Sequence, residues 1–421
     1  MITRIKNAKI LSMDTEGVLK GEVWIEDDKI LSVGQVEDGR EADRELDACG
    51  NLILPGFKNA HAHCPMVFAR SLADDLPLDR WLNEVIFKLE AKLTAEDVYW
   101  FSKLAYLEYL AGGITAAFNM YYEPQAIAEA SKDMGFRTVL CGAVNDFKES
   151  PELLEEYYNR YNNQGDLISY RLGFHAEYTT GRAIMEKISA LAHKYETSVH
   201  VHNSETKREV EECIKRYGKT PTEVFEEIGL YDFGGSGFHS IYLSENDMEI
   251  YKKRGVYAVI NACSNMKLAS GIAPVQNFQE KGIRMAIGTD GASSNNALDM
   301  FREMYMISML QKVMTNEAGN GAPADILRMA TVGGAQAMGL SECEVLKPGY
   351  KADLIMIDMK NPAMCPQNNI VDNLVYSGDK SIVKMTMING RILYENGSYT
   401  QSDKEEIISK AQEHLKSLMN R

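Results

Sequence analysis

Acidic residues outnumber basic ones, 60 to 45, giving a formal charge of −15. Phosphate backbones and anionic membrane surfaces would be repelled, so neither nucleic acid nor a membrane is expected as a partner. No run of about 18 apolar residues occurs, so no bilayer-spanning helix is expected. The opening stretch MITRIKNAKILSMD lacks the apolar core of a secretory leader. Cysteines are few. Cys49, Cys64, Cys141, Cys213, Cys263, Cys343 and Cys365 are an odd, scattered set with no CxxC pair. That argues against a disulfide frame or a zinc ribbon and for reduced thiols in the cytoplasm. No GxGxxG follows any candidate strand, which disfavours a doubly wound dinucleotide fold.

What is present has two textures. Residues 1 to 50 alternate polar and apolar with period two, and VWIEDDKILSVG reads as a hairpin turning at Asp27-Asp28. The same texture returns from 349 to 400, where ADLIMID is a strand and VKMTMINGRILYENG a hairpin turning at Asn389-Gly390. The last stretch, SDKEEIISKAQEHLKSLMN, has helical periodicity behind a Ser-x-x-Glu start, with His414 on its solvated face. Between these ends, short apolar runs alternate with helical stretches. The runs are NLILPG, ITAAFNM, RTVLCGAV, YRLGFHA, TSVHVHN, SGFHSIYL, VYAVINA and RMAIGTDG. Eight strand signals separated by helices predict an α/β fold, a (β/α)8 TIM barrel. The expected division is a β-sandwich domain from both termini, residues 1–56 and 349–421 with the C-terminal helix, around a catalytic barrel at 57–348.

Only eight histidines occur, yet His61 and His63 stand two apart in PGFKNAHAH. Residues i and i+2 of a strand share a face, so both would project toward the axis at the barrel mouth. Two imidazoles on one side make half a metal site. His175, His200, His202 and His239 also fall on candidate strands or their exits, together with Glu205 and Asp290. Histidines on solvated surfaces would scatter over helices instead, as His193 and His414 do. His200 shares a face with His202 but lies one layer deeper, which suits packing better than ligation.

PGFKNAHAH, HVHNSE, FHS and GTDGASSNN, followed by ATVGGAQAMGL and LKPGYKADLIMID, resemble the metal-dependent amidohydrolase superfamily over nearly the whole chain. HAHCPMVFARSLADDLPLDRWL and SNMKLASGIAPVQ are similar to its branch that deaminates S-adenosylhomocysteine and 5-methylthioadenosine. The resemblance implies a metal held by His61, His63, His202 and Asp290. It gives catalytic roles to Glu205, His239 and Asp290, and substrate contacts to Trp81, Glu90 and His175. It also implies a small-molecule nucleoside or base as partner, and a homo-oligomer. Many relatives hold two metals across a carbamylated lysine on the fourth strand. YRLGFHAEY has no lysine, so one divalent ion is expected, Zn²⁺ by preference, with Fe²⁺, Ni²⁺ or Mn²⁺ suited to similar ligands.

A bound divalent cation lowers the pKa of its water toward about 7. In the pattern so implied, Asp290 takes the water's proton and His239 orients the attacking oxygen. Glu205 protonates a ring nitrogen and then the departing amine. The expected reaction is hydrolytic deamination of an amino-substituted N-heterocycle, with a 5′-modified adenosine favoured. Deaminases of guanine, pterin or cytosine, triazine hydrolases and a non-catalytic barrel scaffold are the alternatives. An amphipathic helix would account for Trp81 and Glu90 nearly as well, and turn chemistry for Ser264, Asn265, Ser294 and Asn295. One departure stands out. RTVLCGAVNDFKESPE has no arginine after Arg137 where the resembling deaminases carry nucleoside-holding arginines, and Lys148 is no bidentate fork.

Overall fold

The computed structural model describes residues 1–34, 39–162 and 165–421. Eight parallel strands form one sheet in chain order: Phe57–Ala62, Ile114–Met120, Arg137–Cys141, Ile168–Ala176, Val199–Asn203, Gly235–His239, Val256–Ile260 and Arg284–Ile287. Helices separate them, as the alternating pattern requires. Ala95–Ala111 begins behind a reciprocal Thr94–Asp97 capping box, and Arg182–Tyr195 spans the helical stretch before the fifth strand. The first and eighth strands share no ladder among the described residues. Their seam is closed by individual hydrogen bonds instead. Asn59 donates to Thr289 Oγ1 (2.7 Å) and accepts from the Thr289 amide (2.8 Å), and the Asp290 amide donates to the His61 carbonyl (3.0 Å). The result is a nearly closed barrel.

The two ends of the chain build a second, mixed sheet of nine strands. Both expected hairpins form. Leu19–Glu26 turns into Lys29–Val33 through Asp27 (φ 52°), and Val383–Ile388 into Arg391–Glu395 through Asn389 (φ 49°) and Gly390 (φ 71°). Leu52–Pro55 joins the halves, pairing in parallel with Ile2–Ile10 and antiparallel with Leu354–Ile357. Both halves contribute to one apolar cluster that includes Ile5, Val23, Ile53, Leu354 and Met387.

Three expectations are corrected. NLILPG is not the first barrel strand: Leu52–Pro55 belongs to the mixed sheet, and the barrel strand starts at Phe57. The crossing falls at Gly56, where a Cβ would meet the Thr115 side chain at 2.1 Å, so only glycine passes there. The C-terminal helix Lys404–Asn420 is capped by Asp403, not Ser402, and packs on the barrel helix Ala95–Ala111. His414 is accordingly not solvated: its Nδ1 lies 2.8 Å from Asp97 Oδ1, while Arg421 holds the other oxygen at 2.5 Å. Arg137 serves the junction of the two sheets, paired with buried Asp353 at 2.7 Å. Among the described residues, no helix is long and apolar enough to cross a membrane.

Candidate active site

His61 lies inside the first barrel strand, and His63 immediately follows it. Both turn inward, as the two-residue spacing required, and their ring centroids are 4.7 Å apart. His202 on the fifth strand and His239 at the end of the sixth join them, with centroids 4.8 and 5.7 Å from that of His61. Asp290, three residues beyond the eighth strand, brings Oδ1 to 3.4 Å from His61 Nε2 and 3.2 Å from His63 Nε2. The backbone at Gly288 passes so close that a Cβ there would meet His61 Cβ at 2.7 Å.

The remaining hydrogen bonds orient these rings. His63 Nδ1 donates to the Met120 carbonyl (2.6 Å), His202 Nδ1 to the His175 carbonyl (2.7 Å), and His239 Nδ1 to Asn265 Oδ1 (2.6 Å). Each bond places the hydrogen on Nδ1 and leaves the Nε2 lone pair facing the centre, the tautomer a metal needs. His61 is fully buried, and neither ring nitrogen has a hydrogen-bond partner. Leaving such groups unmet is costly, on the order of 1–3 kcal/mol each. Two overlapping sets, His61–His202–His239 and His61–His63–Asp290, have ligand atoms all within 4.8 Å of one another. A tetrahedral or five-coordinate divalent cation fits this donor set and would satisfy the orphaned ring.

Electrostatics agree with that reading for His61 and His202, whereas at His63 the Asp290 and Met120 contacts outweigh burial and raise the pKa. Burial pushes His61 and His175 down to about 3 and His202 well below its ordinary value, so these rings are neutral. Asp290 is held well below the usual carboxylate range. Burial opposes ionisation, but the His61 and His63 contacts overcome it. Glu205 moves the other way, raised chiefly by burial and further by the Asp290 charge, against His239 and the Ser270 hydroxyl. Its Oε2 lies 3.8 Å from His239 Nε2, and its Oε1 accepts from Ser270 at 2.9 Å. Two carboxyls in one site thus have opposed proton affinities, the pattern that assigns acid and base. Ser204, His239, Ser240 and Asp290 all take left-handed backbone angles (φ 53°, 70°, 49° and 58°), a concentration of strain around the mouth.

A cavity of about 600 Å³, part of it open to solvent, sits over this cluster. Its walls include His63, His202, Glu205, His239 and Asp290, and also Trp81, Glu90 and His175, so the residues singled out for substrate contact share one space with the ionisable set. Trp81 opens a π-helical turn, Trp81–Ile86, between short α-helical turns, not the simple amphipathic helix of the alternative reading. Glu90 is buried and its pKa raised by desolvation, against the opposing influence of the neighbouring Tyr121 hydroxyl. His175 Nδ1 pairs with Thr179 Oγ1 at 2.8 Å. His200 stays out of the site, against Phe118 and 3.0 Å from Ser198. Lys148 lies 3.9 Å over the Tyr122 ring, which lines the cavity.

Ser264, Ser294 and Asn265 have more than turn chemistry to do. Both serine hydroxyls donate to Asp290 Oδ2, at 2.5 and 2.8 Å, which turns Oδ1 toward the histidines. Asn295 ties this loop to buried Glu303 at 2.7 Å. The polar run GTDGASSNN was the available signal, but nothing local shows which of its side chains face an aspartate four residues back.

A family model for amidohydrolases matches residues 52–393. The chain belongs to the amidohydrolase family. It is 37% identical to a 5-methylthioadenosine/S-adenosylhomocysteine deaminase from Caldanaerobacter subterraneus subsp. tengcongensis, over 99% of this chain and 98% of the relative. It is 38% identical to a 5′-deoxyadenosine deaminase from Methanobrevibacter smithii, over 98% and 97%. A crystal structure of an adenosine deaminase from Xanthomonas campestris with bound zinc superposes with a TM-score of 0.94 at 29% identity, covering 100% of this chain and 99% of that one. This amidohydrolase is therefore a hydrolase acting on C–N bonds of cyclic amidines, in a metal-dependent family.

Proposed function

We propose that this amidohydrolase deaminates a 5′-modified adenosine, releasing ammonia and the inosine counterpart. The favoured substrates are 5′-methylthioadenosine, S-adenosylhomocysteine and 5′-deoxyadenosine, with adenosine itself behind them. The relatives' activities support this class. The observation that carries the mechanism is the opposed pair Asp290 and Glu205, which share one cavity wall with His239, 3.8 Å from Glu205.

His61, His63, His202 and Asp290 would hold one divalent cation, most suitably Zn²⁺, which when bound supplies a water acidic enough to attack at neutral pH. Asp290 takes the proton from the attacking water. His239, fixed by Asn265, faces the oxygen as it adds to the ring carbon bearing the amine. Glu205, kept protonated by its dry surroundings, gives its proton to the adjacent ring nitrogen and then serves the leaving ammonia. Trp81 packs on the substrate, Glu90 takes the ribose hydroxyls and His175 the base. The absence of an arginine after Arg137 within RTVLCGAVNDFKESPE leaves Lys148, 3.9 Å over the Tyr122 ring, suited to a single point contact with a substrate tail.

The chain is read as two units, 1–56 with 349–421 and 57–348, supported by the passage from one sheet to the other at Gly56. Seven unpaired cysteines suit the cytoplasm, and a homo-oligomer is the expected assembly. The test is ammonia release by metal-replete protein across 5′-modified adenosines, free bases, pterins and triazines, with metal content measured. Turnover of adenosine derivatives at about one metal per chain is expected. Turnover of a free base or triazine alone would transfer the same residues to another substrate, and no metal with no turnover would favour a scaffold.

A further inference from the structure

The opposite end of the barrel carries a second cavity, of about 880 Å³ and partly open to solvent, at the N-terminal ends of the fourth to eighth strands. On a chain with 15 excess acidic charges, its rim is basic: Arg171, Lys252, Lys253, Arg254 and Arg284. Two of these are spoken for. Lys253 pairs with Glu226 at 3.2 Å, and Arg254 with Glu226 and Asp232 at 2.7 and 2.9 Å. Asp232, the carboxylate on this wall, is paired with Arg254 and is also 3.0 Å from His193 Nε2. The other three differ. Among the described residues, Arg171, Lys252 and Arg284 form no ion pair.

Arg171 sits on the fourth strand, four residues before His175, and alternation turns it to the same inward side. Its guanidinium donates to two backbone carbonyls, Tyr170 at 3.2 Å and Gly339 at 3.4 Å, so part of a five-donor fork is left over. Arg284 starts the eighth strand, exposed, with its guanidinium 5.6 Å from the Tyr257 ring centroid. His200 lines the same cavity, 1% exposed, with Nε2 3.0 Å from Ser198 Oγ and Nδ1 buried without a partner. When the serine hydroxyl donates to Nε2, Nδ1 carries a hydrogen that is buried without a partner.

We propose that this cavity is a second binding site, for the phosphate group of a small molecule, organised by Arg171 and Arg284 with Lys252. Planar guanidinium forks match tetrahedral oxyanions in geometry as well as charge. The competing account is that these cations only cap helix C-termini, which point to this end of the barrel. It covers Lys252 in the last turn of Glu245–Arg254 and the Arg171 contact with Gly339. It places Arg284 beside Gly255, the cap of that same helix, but leaves its guanidinium with no carbonyl hydrogen bond among the described residues.

Titration calorimetry on the metal-loaded full chain, at fixed ionic strength against chloride, tests the site with inorganic phosphate and with ribose 5-phosphate. Saturable binding of either is expected, and the tighter one tells whether the occupant is free phosphate or a phosphomonoester. Arg284→Gln, an exposed change remote from the catalytic mouth, should weaken it roughly tenfold, the loss of one hydrogen bond to a charged group. Arg171→Gln should weaken it at least as much. No binding above chloride, or affinity in Arg284→Gln within twofold of the unmodified chain, would overturn the proposal. In the second case phosphate binds elsewhere, and capping is the whole role of this rim.

Discussion

Removing the Ser264 hydroxyl tests the site where geometry makes its sharpest demand. Asp290 accepts two hydroxyls on one oxygen, Ser264 at 2.5 Å and Ser294 at 2.8 Å, and these leave the other oxygen toward His61 and His63. Hydrogen bonds to charged groups contribute about 1.5–3 kcal/mol each. If Ser264→Ala loses one such bond from the arrangement that reacts, kcat falls about 10- to 150-fold, at 1.36 kcal/mol per tenfold. The two hydroxyls lie 2.9 Å apart, so they act together: Ser264→Ala with Ser294→Ala should depart from the product of the single losses. Ammonia release at saturating 5′-methylthioadenosine gives kcat, and elemental analysis gives metal content. A Ser264→Ala enzyme with full metal and kcat within twofold would refute the claim that the serines set the Asp290 geometry.

Three further outcomes follow from the same structure. Glu205→Gln should keep its metal and lose about 10²–10⁴ in kcat, read in the ammonia assay, because the amide fills the space but carries no transferable proton. Trp81→Ala should raise KM more than it lowers kcat, since the ring is expected to bind substrate without entering the proton transfers; a selective kcat loss would count against that role. Asp97→Asn should cost about 1–3 kcal/mol in urea denaturation at pH 7 by loosening His414 and Arg421. Burial opposes the Asp97 charge, but hydrogen bonds from Thr94, His414 and Arg421 hold its pKa below 3.8. That stabilisation is therefore complete above the unfolded value and lost as pH falls through the folded one. The gap between the two proteins should close once the pH falls below the folded value, itself under 3.8.

The deepest part of the site was legible because it is written in local periods. The i, i+2 spacing of His61 and His63 places both on one strand face whatever the rest of the chain does. His202 and Glu205 are likewise set by their distance from one strand end. Eight apolar runs between helical stretches imply a barrel mouth, and the mouth gathers strand exits. Where the reading failed, the cause was a neighbour distant in sequence. NLILPG and FKNAHA look like one apolar strand, and it is pairing with Ile2–Ile10 and with Leu354–Ile357, some 300 residues on, that draws its first half into the other sheet. His414 looks solvated until Asp97 is folded against it.

Periodicity along the chain thus determined the fold class, the inward face of each strand and the identity of the clustered histidines and carboxyls. Tertiary structure alone decided which nitrogen of each ring faces the centre, which serines turn Asp290, and that His61 is sealed without a partner. The physical reason is range. Side-chain direction is a property of a few consecutive residues, whereas hydrogen-bond partners and desolvation depend on what packs against them, as Thr289 does against Asn59 from 230 positions away.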